Sequence, residues 1–137
     1  MNPILRNILA VIAGAIIGST VNIFLVNIGP MVIPPPEGAD VTTMEGLAET
    51  MHLFEPKHFL FPFLAHALGT LVGATLAAWF AANRKQTYAI VIGVFFLIGG
   101  VLNVMWLPSP GWFNAVDLIL AYLPMGWLGY KLYKKIA

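Results

Sequence analysis

Apolar residues fill this chain in long blocks, broken by short polar or proline-rich interruptions. Ile8 to Ile28 is a run of about 20 residues without a charge, preceded by Arg6, enough to cross a hydrocarbon core of about 30 Å. A signal peptide would carry an apolar region of only about 7 to 15 residues, so the length favours an uncleaved first span over 7–28. A second block, 57–82, opens after Pro56, a residue tolerated in a first helical turn, and stops at Asn83-Arg84-Lys85-Gln86. That short basic link makes it an antiparallel hairpin with a third span, 87–107, which Pro108-Ser109-Pro110-Gly111 ends. The fourth block, 112–133, contains Pro124, which frees the carbonyl of Leu120 and predicts a kink. The expected fold is a single all-α integral membrane domain over 1–137, a bundle of four transmembrane helices.

Charge orients this bundle. Arg6, Arg84, Lys85, Lys131, Lys134 and Lys135 fall on one side of the four-span arrangement and Lys57 alone on the other, so the first side is cytoplasmic and both termini lie there. The opposite side holds Glu37, Asp40, Glu45, Glu49 and Glu55. Trp106 and Trp112 flank the outer turn, and Trp79, Tyr88, Trp127, Tyr130 and Tyr133 fall toward the inner ends, the distribution of interfacial aromatic belts.

Composition agrees with lipid as the main solvent: 59% of residues are hydrophobic, 9% charged, and the mean hydropathy is +0.84, against about 25% charged in soluble domains. A formal net charge of +1 points to no nucleic-acid partner. With no cysteine, disulfides, thiolate catalysis and Cys-ligated metals are excluded. The short basic inner loop and the lack of a soluble domain suit a bacterial plasma membrane, or an organelle membrane of bacterial descent.

The outer loop, 29–56, divides in two. Gly29 to Asp40, with Pro30 and Pro34-Pro35-Pro36, is expected to be extended. Thr42 and Glu45 then form a capping-box pattern ahead of a short amphipathic helix ending near Glu55-Pro56, with Met44, Leu47, Ala48, Met51 and Phe54 on its apolar face.

Small residues recur every four positions in two spans: Ala10, Gly14 and Gly18 in the first, and Ala65, Gly69, Gly73, Ala77 and Ala81 in the second. In lipid such stripes let backbones approach closely, so spans one and two are expected to pack along them, a homo-oligomer interface being the alternative use.

Polar residues inside the spans are few. Asn22, His66, Asn103 and Asp117 all fall in the outer half: Asp117 about 7.5 Å below Trp112 and His66 about 13 Å below Lys57 at 1.5 Å per residue. A carboxylate in lipid costs about 2.5 kcal/mol or more at the centre, so Asp117 is expected to face the interior with His66 or Asn103 as partner. The cluster admits interhelical hydrogen bonding alone, a proton-titratable binding or translocation pocket, or, with Ser109 as nucleophile, a Ser, His and Asp set. In the outer loop, Glu49 with His52 and Glu55 with His58 repeat the Glu-x-x-His spacing, making Glu49, His52 and His58 candidate zinc or copper ligands.

Phosphate-binding glycine loops, zincin signatures and nucleic-acid modules are absent, and nothing in the chain names a cofactor. The leading expectation is a non-enzymatic membrane protein acting through assembly, with other membrane subunits or with itself. A small transporter or channel built on the pocket at His66 and Asp117 comes second, and a membrane-embedded enzyme on a lipid-like substrate third.

Overall fold

The computed structural model describes residues 1–137 and contains helices and no strand. Six α-helices follow one another: α1 (Pro3–Val32), α2 (Met44–Thr50), α3 (Leu60–Phe80), α4 (Lys85–Trp106), α5 (Gly111–Leu120) and α6 (Leu123–Ile136), with 3-10 turns at Met51–Leu53 and Pro56–Phe59. Three are long and apolar enough to cross a membrane: α1, α3 with its preceding turn (Pro56–Phe80), and α4. The fourth apolar block is two helices, of 10 and 14 residues, separated at Ala121 and Tyr122.

Local chemistry explains the ends. Asn2 caps α1 by accepting the Ile4 N–H at 2.7 Å, with Pro3 in the first turn. The expected extended stretch from Gly29 is corrected at its start, because α1 continues through Pro30 to Val32. A proline this close to a C-terminus removes a single helical donor, and the Ile33 N–H still closes on the Gly29 carbonyl at 2.8 Å. The capping pattern shifts by one residue: Thr43 is the N-cap of α2 and accepts the Gly46 N–H at 2.9 Å, while Thr42 donates to Asp40. The α-helix ends at Thr50, short of the expected Glu55.

The packing is built on α3, which lies against α1, α4 and α6. Gly14 and Gly18 of α1 meet Gly73 and Gly69 of α3 so closely that a Cβ on either α1 glycine would stand 2.6 Å from an α3 carbonyl oxygen. Gly129 seats α6 on α3 in the same way, its missing Cβ replaced by Ala74. The central core is therefore mostly alanine, with Ile92, Phe96 and Tyr122 as its bulk. Large apolar side chains point outward instead: Ile16 is 62% exposed, Phe24 61%, Ile98 58% and Ile119 66%. Such an apolar exterior suits lipid and not water.

A second core of Met51, Phe59 and Phe113, with Leu47, Phe54 and Leu107 against it, seats the segment after α2 on the bundle end formed by α3 and α5. At the other end the chain is tied by polar contacts. Asn7, 5% exposed, accepts the Ala82 N–H and donates to Asn83 and Tyr88. Lys85 donates to the carbonyls of Ala78, Trp79 and Ala81, which α3 leaves without helical partners, and Arg6 donates to that of Phe80.

Candidate functional site

The break between α5 and α6 positions the site. α5 closes with the Ala121 N–H on the Asp117 carbonyl, and Tyr122 then leaves helical geometry at φ −118°, ψ −80°. Pro124, in the first turn of α6, has no N–H to offer the Leu120 carbonyl. Helix α6 starts afresh, its first bond running from the Gly126 N–H to the Tyr122 carbonyl. Asp117 and Tyr122 thus face one another across the break.

His66 of α3 completes the group. Its Nδ1 lies 2.8 Å from Asp117 Oδ1, and the Tyr122 hydroxyl donates to Asp117 Oδ2 at 2.8 Å. Against a carboxylate, Nδ1 carries a proton and donates, and Nε2 makes no hydrogen bond within the chain. The rings of His66 and Tyr122 stack at 5.9 Å with a 28° interplanar angle. Gly100 of α4 makes room for this, since a Cβ there would lie 2.5 Å from the Tyr122 hydroxyl oxygen. Asp117 is 3% exposed and Tyr122 2%, so the carboxylate is buried between the two groups that donate to it.

Above the group lies a cavity of about 520 Å³, floored by His66, Gly100 and Asp117 and walled by α1, α3, α4, α5 and the segment 41–54. Val26, Ile33, Leu47, Phe54, Phe59, Phe61, Val104 and Phe113 give it an apolar lining. The volume falls in the range of small-molecule pockets, which are typically apolar with a few convergent polar groups.

The other residues singled out from the sequence are distributed as follows. Asn103 lines the cavity without a bond to the His66–Asp117 pair. Asn22 lies against Gly69, its Oδ1 buried without a hydrogen-bond partner. Ser109 donates to Asn114 and not to His66, so no nucleophile is held by the pair. Glu49, His52 and His58 do not come together, and no group of three His, Asp or Glu side chains is placed to hold a metal ion. The reason is visible at His58: its Nδ1 accepts the Glu55 N–H at 2.8 Å and its Nε2 reaches the Pro34 carbonyl at 3.2 Å, which commits both ring nitrogens to holding the loop. Ala10, Gly14, Gly18, Ala65, Gly69, Gly73 and Ala77 are buried within the chain. The glycines of the two stripes meet one another and are thereby covered.

Tyr122 was not among the candidates. The signal for it was indirect: a tyrosine five residues after an intramembrane aspartate and two before a proline.

No family model, curated protein or solved structure matches this chain.

Proposed function

We propose that the chain is a small four-span membrane protein, N-in and C-in, that binds a small amphipathic molecule in the cavity above His66, Asp117 and Tyr122 and serves as its carrier. The observation that carries this reading is an apolar cavity ending on a buried carboxylate and on an imidazole whose Nε2 has no partner in the chain. In this reading α5 and α6 together make the fourth crossing. Ten residues of α5 at 1.5 Å each place the break about 15 Å below its start, close to the middle of a hydrocarbon core of about 30 Å. A discontinuous helix at that depth, with its binding residues at the discontinuity, is the arrangement that secondary carriers use. The basic end of the bundle would lie on the cytoplasmic side of a bacterial plasma membrane and the cavity mouth outside.

Action through assembly with other subunits or a second copy is the second reading: the glycines of α1 and α3 cover one another, and the apolar exterior that remains is open to lipid and to partner helices alike.

The test is native mass spectrometry of the protein extracted from its own membrane, followed by organic extraction, on the wild type and a cavity-filling Val104→Trp variant. The wild type should release a small molecule that the variant lacks. Equal retention by both, or a wild type that carries no small molecule and travels with larger subunits, would overturn the carrier reading in favour of assembly.

A further inference from the structure

The charge at the cavity floor turns on His66. Asp117 accepts from the Tyr122 hydroxyl and from the Nδ1–H of His66, and a buried carboxylate is costly unless His66 is protonated or another cation reaches it. No fixed cation reaches it. Arg6 and Lys85 bind the far end of α3, about 21 Å away at 1.5 Å for each of the 14 residues from His66 to Phe80, and Arg84, Lys131, Lys134 and Lys135 belong to the same end. Helix α1 has no ionisable residue beyond Arg6, and α4 has none beyond Tyr88. From α3 and its preceding turn come Lys57, on the rim with its amine 3.6 Å from the Glu55 carboxylate, and His58, held by the loop. The remaining groups of the covering segment, Glu45, Glu49 and His52, are exposed.

The missing charge can therefore come from a proton on His66 or from a ligand. The cavity favours a cationic ligand in two further ways. Its lining includes the aromatic residues Phe54, Phe59, Phe61 and Phe113, a residue type that attracts cations. The outer loop that covers it carries Glu37, Asp40, Glu45, Glu49 and Glu55, and the single lysine next to it, Lys57, which lines the cavity, lies 3.6 Å from Glu55.

We infer that the cavity takes an amphipathic monovalent cation, an ammonium or guanidinium group on an apolar body, and that its arrival displaces one proton from the His66–Asp117 pair to water. One positive charge enters as one leaves, so the floor keeps its net charge in both states. The inference rests on the carrier reading and gives it an exchange stoichiometry.

Three probes sharing one scaffold test it: 3-phenylpropylammonium, 3-phenylpropanol and 3-phenylpropionate, titrated calorimetrically into the full chain in phosphatidylcholine nanodiscs. Runs in two buffers of different ionisation heat count protons. The ammonium should bind at least tenfold tighter than the alcohol, with the carboxylate weakest, and should release about one proton where His66 is charged. Over that range its affinity should rise about tenfold per pH unit. His66→Gln should bind the ammonium without proton release, and Asp117→Asn should lower the ammonium to the alcohol's level. An alcohol that binds as well as the ammonium, or ammonium binding independent of pH, sinks the cation inference and leaves the carrier reading in place. Failure of all three probes at millimolar concentration also sinks it, and co-extraction of a small molecule then decides the carrier reading separately.

Discussion

The Tyr122 hydroxyl donates to Asp117 Oδ2 across 2.8 Å, from a residue that sits in the gap between two helices. The contact ties the last turn of α5 to the start of α6, and without it one carboxylate oxygen is left unpaired in a buried site. Tyr122→Phe should therefore cost about 1 to 2 kcal/mol, within the spread for buried hydrogen bonds to charged groups and for polar contacts between membrane helices. Gly100→Ala should cost as much or more with every hydrogen-bonding group intact, because its methyl would displace the Tyr122 ring. Thermal unfolding in one detergent, monitored by tryptophan fluorescence, measures both. An unchanged midpoint for Tyr122→Phe would mean that Asp117 does not depend on this donor.

Glycine positions give a matched contrast. Gly14→Ala places a methyl 2.6 Å from the Gly73 carbonyl oxygen, where only backbone can move, and should destabilise by about 1 to 3 kcal/mol. Gly99→Ala meets nothing within 4 Å and should stabilise by up to about 1 kcal/mol through helix propensity. The same unfolding assay separates them, and equal effects would argue against the close approach of α1 and α3.

Asn22 holds a buried acceptor with no donor. An unsatisfied buried polar group costs about 1 to 3 kcal/mol, so Asn22→Leu, of similar reach, should raise the unfolding midpoint. A drop would show that this amide has a partner that matters.

These sites differ in how far the sequence could reveal them. Long apolar helices follow from composition over 20-residue windows, and such windows average over local detail. The facing of Gly14 and Gly18 with Gly73 and Gly69 follows from a four-residue period that repeats in both helices of the pair. His66 and Asp117 stood out because charge is rare in apolar blocks. Tyr122 and Gly100 did not, because their pairing depends on a break that Pro124 permits but does not locate to the residue. Asn7 was equally hidden: its three bonds form only when α1 reaches the turn between α3 and α4. Pro30 misled for a local reason: it removes one helical donor, yet the turn around it still closes through the Ile33 N–H on the Gly29 carbonyl.

In the segment before α2, the Thr42 hydroxyl and its backbone N–H both donate to Asp40, holding this carboxyl below the usual aspartate value of 3.8. A depressed folded value means that the contribution of this turn is fully present above pH 3.8 and is lost as pH falls below it through the folded value. Thr42→Val removes the hydroxyl donor and should move the Asp40 titration upward, back toward 3.8. Carboxyl chemical shifts followed from pH 6 to pH 2 by NMR report this directly. An unchanged titration in the variant would assign the shift to something other than the hydroxyl.

Topology is open to a direct chemical test, because the chain has no cysteine to give a background. Single cysteines replacing Glu49, Gln86 and Lys135, all exposed, can be probed with a membrane-impermeant maleimide on intact and permeabilised cells. With four crossings and the basic end inside, Glu49→Cys reacts in intact cells, and Gln86→Cys and Lys135→Cys react only after permeabilisation. The third position carries the most information. Neither α5 nor α6 is long enough to span alone, so the fourth crossing exists only if the two act as one broken helix. If instead they fold back without crossing, Gln86 stays inside while Lys135 moves to the side of Glu49 and reacts in intact cells. That outcome would leave three crossings, remove the break from mid-membrane depth, and take with it the comparison to carriers with discontinuous helices.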